Sequence, residues 1–372
     1  MSIVKSRRHF LHALGIGTVG SFASPSILSQ TRKEIYIAGK RIKTVDIHAH
    51  ASIKEVERVI NGTYLERRIG GPRLLEPSRL DLMDEWGIDV SVISANQYWW
   101  YRADHDLARE IIRVQDEGFA QWVDRYPDRF VALTSVALQF PELAAEQLEY
   151  AVNTLGFKGA SIGGHVEGEV PASEKYDPFW AKAEELDVPV FMHPANAVNI
   201  VKEGGLDFSG DLGNIVGNPL ETGFLLSRFI LDGTFDRFPG LKICGAHGGG
   251  YLPSYFGRLD VACDAFGGAA RNSSGEFIGN DPIQADDCKN QKPPREYLRT
   301  QIFADSMVFS DEGLRHLVAE MGPSQVVYGT DMPLGWPDTM HLILNSQYLN
   351  NSEKEAILGG NLIRLLKLSR DI

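Results

Sequence analysis

Lys43-Thr44-Val45-Asp46-Ile47-His48-Ala49-His50 is a short β-branched run that ends in two histidines. In an extended strand, side chains at i and i+2 point to the same side. His48 and His50 therefore aim at one point, as two ligands of a single metal ion must. Later strand-like runs end on further donors: Val190-Phe191-Met192-His193, Cys244-Gly245-Ala246-His247 before three glycines, and Tyr328-Gly329-Thr330-Asp331. One His-x-His is a weak signal, but a series of donors at successive strand ends is a strong one.

Working outward from that run, strands are expected at 44–48, 89–94, 130–136, 159–163, 189–193, 241–246, 301–304 and 325–329. Amphipathic helical stretches lie between them, among them 104–125, with Leu107, Ile111, Val114, Gly118 and Trp122 on one face. Strands alternating with helices in this number predict a (β/α)8 TIM barrel with loop insertions at 197–218 and 267–292. A doubly wound open sheet is the structural alternative, but no Gly-x-Gly-x-x-Gly follows the first strand. The donors all fall at the C-terminal ends of their strands, the rim where barrel enzymes gather their reactive groups.

The chain has 372 residues, 43% hydrophobic and 23% charged, as in an ordinary globular protein. Its net charge of -12 argues against nucleic acid and anionic membranes as partners, since both need a basic face. A small anionic substrate needs only local arginines. Ser6-Arg7-Arg8-His9-Phe10-Leu11, followed by a Gly-rich apolar stretch, reads as a twin-arginine signal over residues 1–30, cleaved at about 23–30. That expectation places a single barrel domain at 31–372, periplasmic or otherwise exported in folded form by the twin-arginine route, without stable membrane insertion. Of three cysteines, Cys244 reads as a buried small residue, and a Cys263–Cys288 disulfide is open.

Three imidazoles and one carboxylate form a borderline-metal set. His48, His50, His193 and Asp331 are assigned as ligands of one Zn2+ per subunit, with Mn2+ or Co2+ fitting the same donors. His247 is read as a free general acid or base beside them. Asp46 is assigned to the core or to support of the ligands. Lys158 lies at the wrong end of the fourth strand to bridge two metals, so the site should be mononuclear. His165 reads as a hydrogen-bonded loop residue. The run Tyr98-Trp99-Trp100-Tyr101 is expected to wall a pocket for a flat conjugated substrate, with Trp99 and Trp100 in contact. Arg67, Arg68 and Arg73 are candidates to hold a carboxylate bidentately.

With these residues in view, the chain resembles the amidohydrolase superfamily, and within it the aminocarboxymuconate-semialdehyde decarboxylase branch. The matching text is Val45-Asp46-Ile47-His48-Ala49-His50, His193-Pro194, Phe238 through His247 with its three glycines, Phe256-Gly257-Arg258, Pro294 through Leu298, and Tyr328 through Pro333. The resemblance implies Zn2+ on the four ligands, His247 as acid/base with Asp331 sharing in catalysis, and a homodimer in which Arg258 reaches a neighbouring subunit's substrate. It also implies a substrate-binding arginine in the first loop, for which Arg68 is the closest match. The expected activity is non-oxidative decarboxylation of a small unsaturated or aromatic acid. A hydrolase or hydratase acting on a C–C, lactone or amide bond is the alternative on the same scaffold, and a non-catalytic exported binding protein is a third reading. The departure lies after His193-Pro194, where Ala195-Asn196 stands in place of an aromatic residue.

Overall fold

The structure, a computed structural model, describes residues 32–96, 98–207, 210–267 and 288–370. The twin-arginine segment, most of the 267–292 insertion and the Cys263 side chain lie outside them. An antiparallel hairpin comes first, β1 (Ile35–Ile37) with β2 (Lys40–Ile42), joined through Ala38 and Gly39 at φ 48° and 79°. Two left-handed residues form the turn that suits a two-residue hairpin loop. The sequence reading did not anticipate this hairpin.

The eight expected strands are all present: β3 (Val45–His50), β4 (Val90–Ser94), β5 (Phe130–Ala132), β6 (Ala160–Ile162), β7 (Val190–Met192), β8 (Ile243–Gly245), β9 (Ile302–Asp305) and β10 (Val326–Val327). Their runs are β-branched and buried on both faces, as strands of a parallel sheet covered by helices must be. Parallel pairing links β3-β4-β5 and, separately, β6 through β10. Parallel bridges Thr134–Ala160 and Ala49–Met332 join the two sheets at both seams, so the barrel closes. Side chains of eight strand positions, among them Val45, Val92, Phe191, Cys244, Phe303 and Val327, meet in one cluster that fills the lumen. Leu362 and Leu365 of the C-terminal helix Asn361–Leu365 pack onto that cluster. Gly359 just before this helix lies so close to the start of β3 that a Cβ would sit 2.0 Å from the Lys43 carbonyl oxygen. The helix thus seals the end of the barrel opposite the histidines.

Helix His105–Arg125 begins where its sequence predicts, with the Asp104 carboxylate accepting the Leu107 amide at 3.0 Å. It buries Ile111, Ile112 and Phe119 against the barrel. No helix among the described residues is long and apolar enough to cross a membrane. On this helix Asp116 is buried, and accepts the Thr134 hydroxyl at 2.6 Å. Burial pushes its carboxyl up to about 8. A folded-state value above the unfolded one means that the native chain holds a proton the unfolded chain has lost. Stability from this group is therefore full below about pH 4 and is lost as pH rises through about 8. Thermal melts at pH 5 and pH 8 should show Asp116→Asn gaining on the wild type at the higher pH. Equal differences at both pH values would refute the assignment.

Candidate metal centre

His48 and His50 end β3, and His193 follows β7 by one residue. Asp331 stands in the loop after β10 at φ 58°, in the left-handed region that Asp tolerates better than most residues. All four are buried, and one donor atom from each lies within 4.8 Å of the others. The register between β3 and β4 shifts between Asp46 and Ala49. This irregularity lets Val45 and Ile47 fill the lumen while both histidines still face it. Asp46 is outside the donor set. Its carboxylate accepts the Thr330 amide at 3.1 Å, the Thr330 hydroxyl at 2.7 Å and the His48 amide at 2.9 Å. It thereby ties β3 to the loop that carries Asp331.

The donor set fits a cation by its own unsatisfied chemistry. His48 Nε2 and His50 Nε2 crowd Asp331 Oδ1 at 3.1 and 2.6 Å, yet these buried atoms make no hydrogen bonds of proper geometry. Buried polar atoms left this way are rare and costly. The ring tautomers agree with ligation. His193 Nδ1 donates to the Pro194 carbonyl at 2.8 Å and His48 Nδ1 to Asp305 at 2.7 Å, leaving Nε2 of each for the centre. Burial lowers His50 and drives His193 well below the usual range, so both are neutral, as ligands must be. Burial opposes ionisation of Asp331, but His48 and His50 outweigh it and hold the carboxylate well below its ordinary value. Burial also lowers His48, but the Asp331 and Asp305 carboxylates outweigh it and raise that ring to about 10, a surplus of negative charge that calls for a proton or, in its place, a cation.

His247 stands beside this cluster and outside the donor set. Its ring centroid is 5.1 Å from that of His48 and 5.3 Å from that of His193. Burial first, and then the nearby His48, push it down to about 4. A neutral imidazole held next to a cation site keeps a free ring nitrogen that can take a proton from a bound acid.

The remaining expected residues divide. Trp99 reaches the mouth of the barrel beside Gly163, where a Cβ would meet its ring at 3.0 Å. Trp100 does not: it is buried in the core, its indole N–H on Gln115 at 3.3 Å, with the Arg67 guanidinium 5.0 Å from its ring centre. Arg68 is exposed. Among the first-loop arginines it is Arg73 whose positive charge is felt at His50. Its carbonyl also accepts the Ser52 amide at 2.9 Å. Arg258 is exposed on helix Leu252–Gly267. His165 accepts the Gly168 amide at 3.0 Å, a loop role as read from sequence. Cys244 is buried in the lumen.

Two buried carboxylates beside the site escaped the sequence reading. Asp305 closes β9 one residue beyond the expected strand end, at the same parity as Phe303. Counting by twos from Phe303 is the signal that would have found it. Glu221 lies in helix Asn218–Leu231 and accepts the amides of Ala195 and Ala197 at 2.9 and 2.6 Å. It holds the loop after His193, where Asn196 and Ala197 take φ 71° and 58°. Nothing local in a helix announces such a reach.

Comparison with known proteins agrees with this geometry. Residues 45–368 match the family model described as amidohydrolase. The chain belongs to the amidohydrolase family. It is 30% identical over 331 residues to 2-amino-3-carboxymuconate-6-semialdehyde decarboxylase of Dictyostelium discoideum, covering 87% of this chain and 85% of that one. It is 28% identical to gamma-resorcylate decarboxylase of Rhodococcus jostii, covering 84% and 93%. Among solved structures, dihydroxybenzoic acid decarboxylase of Polaromonas with bound manganese superimposes with a TM-score of 0.72 at 25% identity, covering 89% and 98%. The amidohydrolase barrel read from the strand order is therefore the fold, and the decarboxylase branch is the right one.

For this amidohydrolase the four-donor centre predicts one equivalent of divalent metal per chain, measured by chelator competition. His50→Ala should weaken that binding by more than the roughly 10–100-fold typical of losing an outer partner, with the fold intact by circular dichroism. Unchanged stoichiometry and affinity would remove His50 from the ligand set.

Proposed function

We propose that this chain is a metal-dependent, non-oxidative decarboxylase of a small aromatic or unsaturated carboxylic acid, with Zn2+ on His48, His50, His193 and Asp331. The observation that carries the reading is His247, a half-buried imidazole held neutral against a four-donor metal cluster and not part of it. Pure metal or solute binding needs no such base. The relatives reported above are decarboxylases by name, which favours carbon–carbon cleavage with loss of CO2.

When bound, the cation supplies Lewis-acid charge that holds and polarises a substrate oxygen. His247 accepts a proton as the acid enters and delivers it to the carbon that bears the carboxylate. The carbon–carbon bond then breaks, CO2 leaves, and its electron pair restores the π-system. Trp99 offers an aromatic face at the mouth, and the charge of Arg73 favours an anionic substrate nearby. Burial of the four donors limits water at the centre itself.

The active unit of this proposal is a homodimer. Arg258 borders a groove of about 680 Å³ between helices Asn218–Leu231 and Leu252–Gly267, lined by Leu220, Phe224, Tyr251 and Tyr255. Tyr255 and Val261 are each 66% exposed, an apolar face that supports pairing of two copies. In the dimer Arg258 would bind the substrate carboxylate of the neighbouring subunit.

With Zn(II)-loaded protein and a panel of hydroxybenzoates and carboxymuconate semialdehydes, one CO2 should appear per product formed. His247→Asn should keep one metal per chain and lose about 10²–10⁴-fold in kcat. Turnover without CO2, or full activity in the variant, would defeat the proposal. Arg258→Ala should lose about 10–100-fold in kcat/KM, as expected for a charge-assisted contact. Mixing it with His247→Asn should restore activity, because one site of each hybrid has both groups intact. No recovery in verified hybrids would place Arg258 outside the partner's site.

A further inference from the structure

Asp305 is fully buried at the end of β9, opposite Val327 of β10. Its Oδ2 accepts from His48 Nδ1 at 2.7 Å and from the His247 amide at 3.0 Å. Its Oδ1 accepts the Gly248 amide at 2.8 Å and the Met307 amide at 3.1 Å. These four donors fill the acceptor sites of a carboxylate. One of them is a metal-facing histidine; two others are the backbone of the segment that presents His247.

That segment needs an anion. His247 sits at φ 54°, ψ 50° and Gly248 at φ 65°, ψ 23°. The left-handed region is disfavoured for an L-residue such as histidine, whose Cβ crowds the following carbonyl oxygen. Adjacent residues in turn conformations of this kind can point successive N–H groups into a shared concavity that binds negative charge. Here Asp305 occupies it, and charge-assisted hydrogen bonds offset the strain. Gly329 leaves space for the arrangement, since a Cβ there would lie 2.7 Å from the Asp305 Cβ and 3.1 Å from that of His48.

We infer that Asp305 is a positioning residue that acts on both halves of the site through one carboxylate. It directs Nε2 of His48 at the cation, and it holds the left-handed turn that places the His247 ring. Cation affinity and proton delivery are thereby coupled. The inference rests on the proposed metal-dependent reaction and adds a residue that touches neither substrate nor cation.

Asp305→Asn keeps the shape but turns an NH2 group toward donors. By chelator competition, its Zn(II) dissociation constant should rise about 10–100-fold. At saturating Zn(II), kcat should stay at least about tenfold below wild type with KM nearly unchanged, because metal refills the ligand site without restoring the turn. Affinity within about twofold of wild type, or kcat fully restored by excess Zn(II), would overturn the inference while leaving the decarboxylase reading in place. Wild-type protein that takes up no Zn(II) would overturn both. Should the variant not fold, nitrogen-15 histidine NMR of the Zn(II)-loaded wild type decides. A slowly exchanging Nδ1 proton of His48 on Asp305 is expected, with that of His193 on Pro194 as the reference. Its absence from His48, with that of His193 present, overturns the role.

Discussion

Three buried imidazoles and a buried carboxylate converge on one point with donor atoms within 4.8 Å, and they do not satisfy one another. Such a cluster is costly unless something of opposite charge and fixed geometry completes it. The fold must therefore deliver four residues, separated by up to 283 positions in the chain, to the same mouth. Closure of the barrel does this. The parallel bridge from Ala49 to Met332 lies one residue from His50 and one from Asp331, so the seam that closes the barrel also assembles the centre. Were the sheet left open at that seam, the histidines of β3 would face no carboxylate.

Around the donors the structure repeats one device, a buried carboxylate that captures backbone amides of a loop. Asp46 joins β3 to Thr330 beside Asp331. Asp305 joins His48 to the His247 turn. Glu221 holds the loop after His193. The loops concerned carry left-handed non-glycine residues at Asn196, Ala197, His247 and Asp331, each a conformation that the free chain avoids. Charge-assisted hydrogen bonds in a dry interior are strong enough to hold them. Rigidity of the ligand shell comes as much from these anchors as from the strands.

The aromatic run at 98–101 shows why contiguity in sequence misleads about a pocket. In this extended segment Tyr98 stacks with Trp100 at 5.8 Å and Trp99 with Tyr101 at 6.2 Å, so neighbours face opposite ways. Trp99 and Tyr101 lie against Gly163 at the end of β6, while Trp100 turns into the core toward Gln115. Four aromatics in a row thus supply a wall and its foundation. The first-loop arginines divide in the same way: Arg67 covers Trp100, Arg68 is exposed, and the charge of Arg73 is felt at His50.

Sequence alone determined the architecture and the four-donor set, because both depend on local periodicity. Alternating β-branched and amphipathic runs specify a barrel, and donors at strand ends must share its rim whatever the details of packing. Strand limits were less secure, and the one-residue difference at 301–304 hid Asp305. What only the tertiary structure decided depends on long-range contact: the register shift in β3, the hairpin at Ile35–Ile42, and the partners of Asp305 and Glu221. The same holds for the choice among Arg67, Arg68 and Arg73. A helix carries no mark of which distant amide its glutamate will meet, and an arginine in a loop carries none of which way it will turn. Those outcomes are set by the closed barrel, where burial leaves each charged group few partners and geometry selects among them.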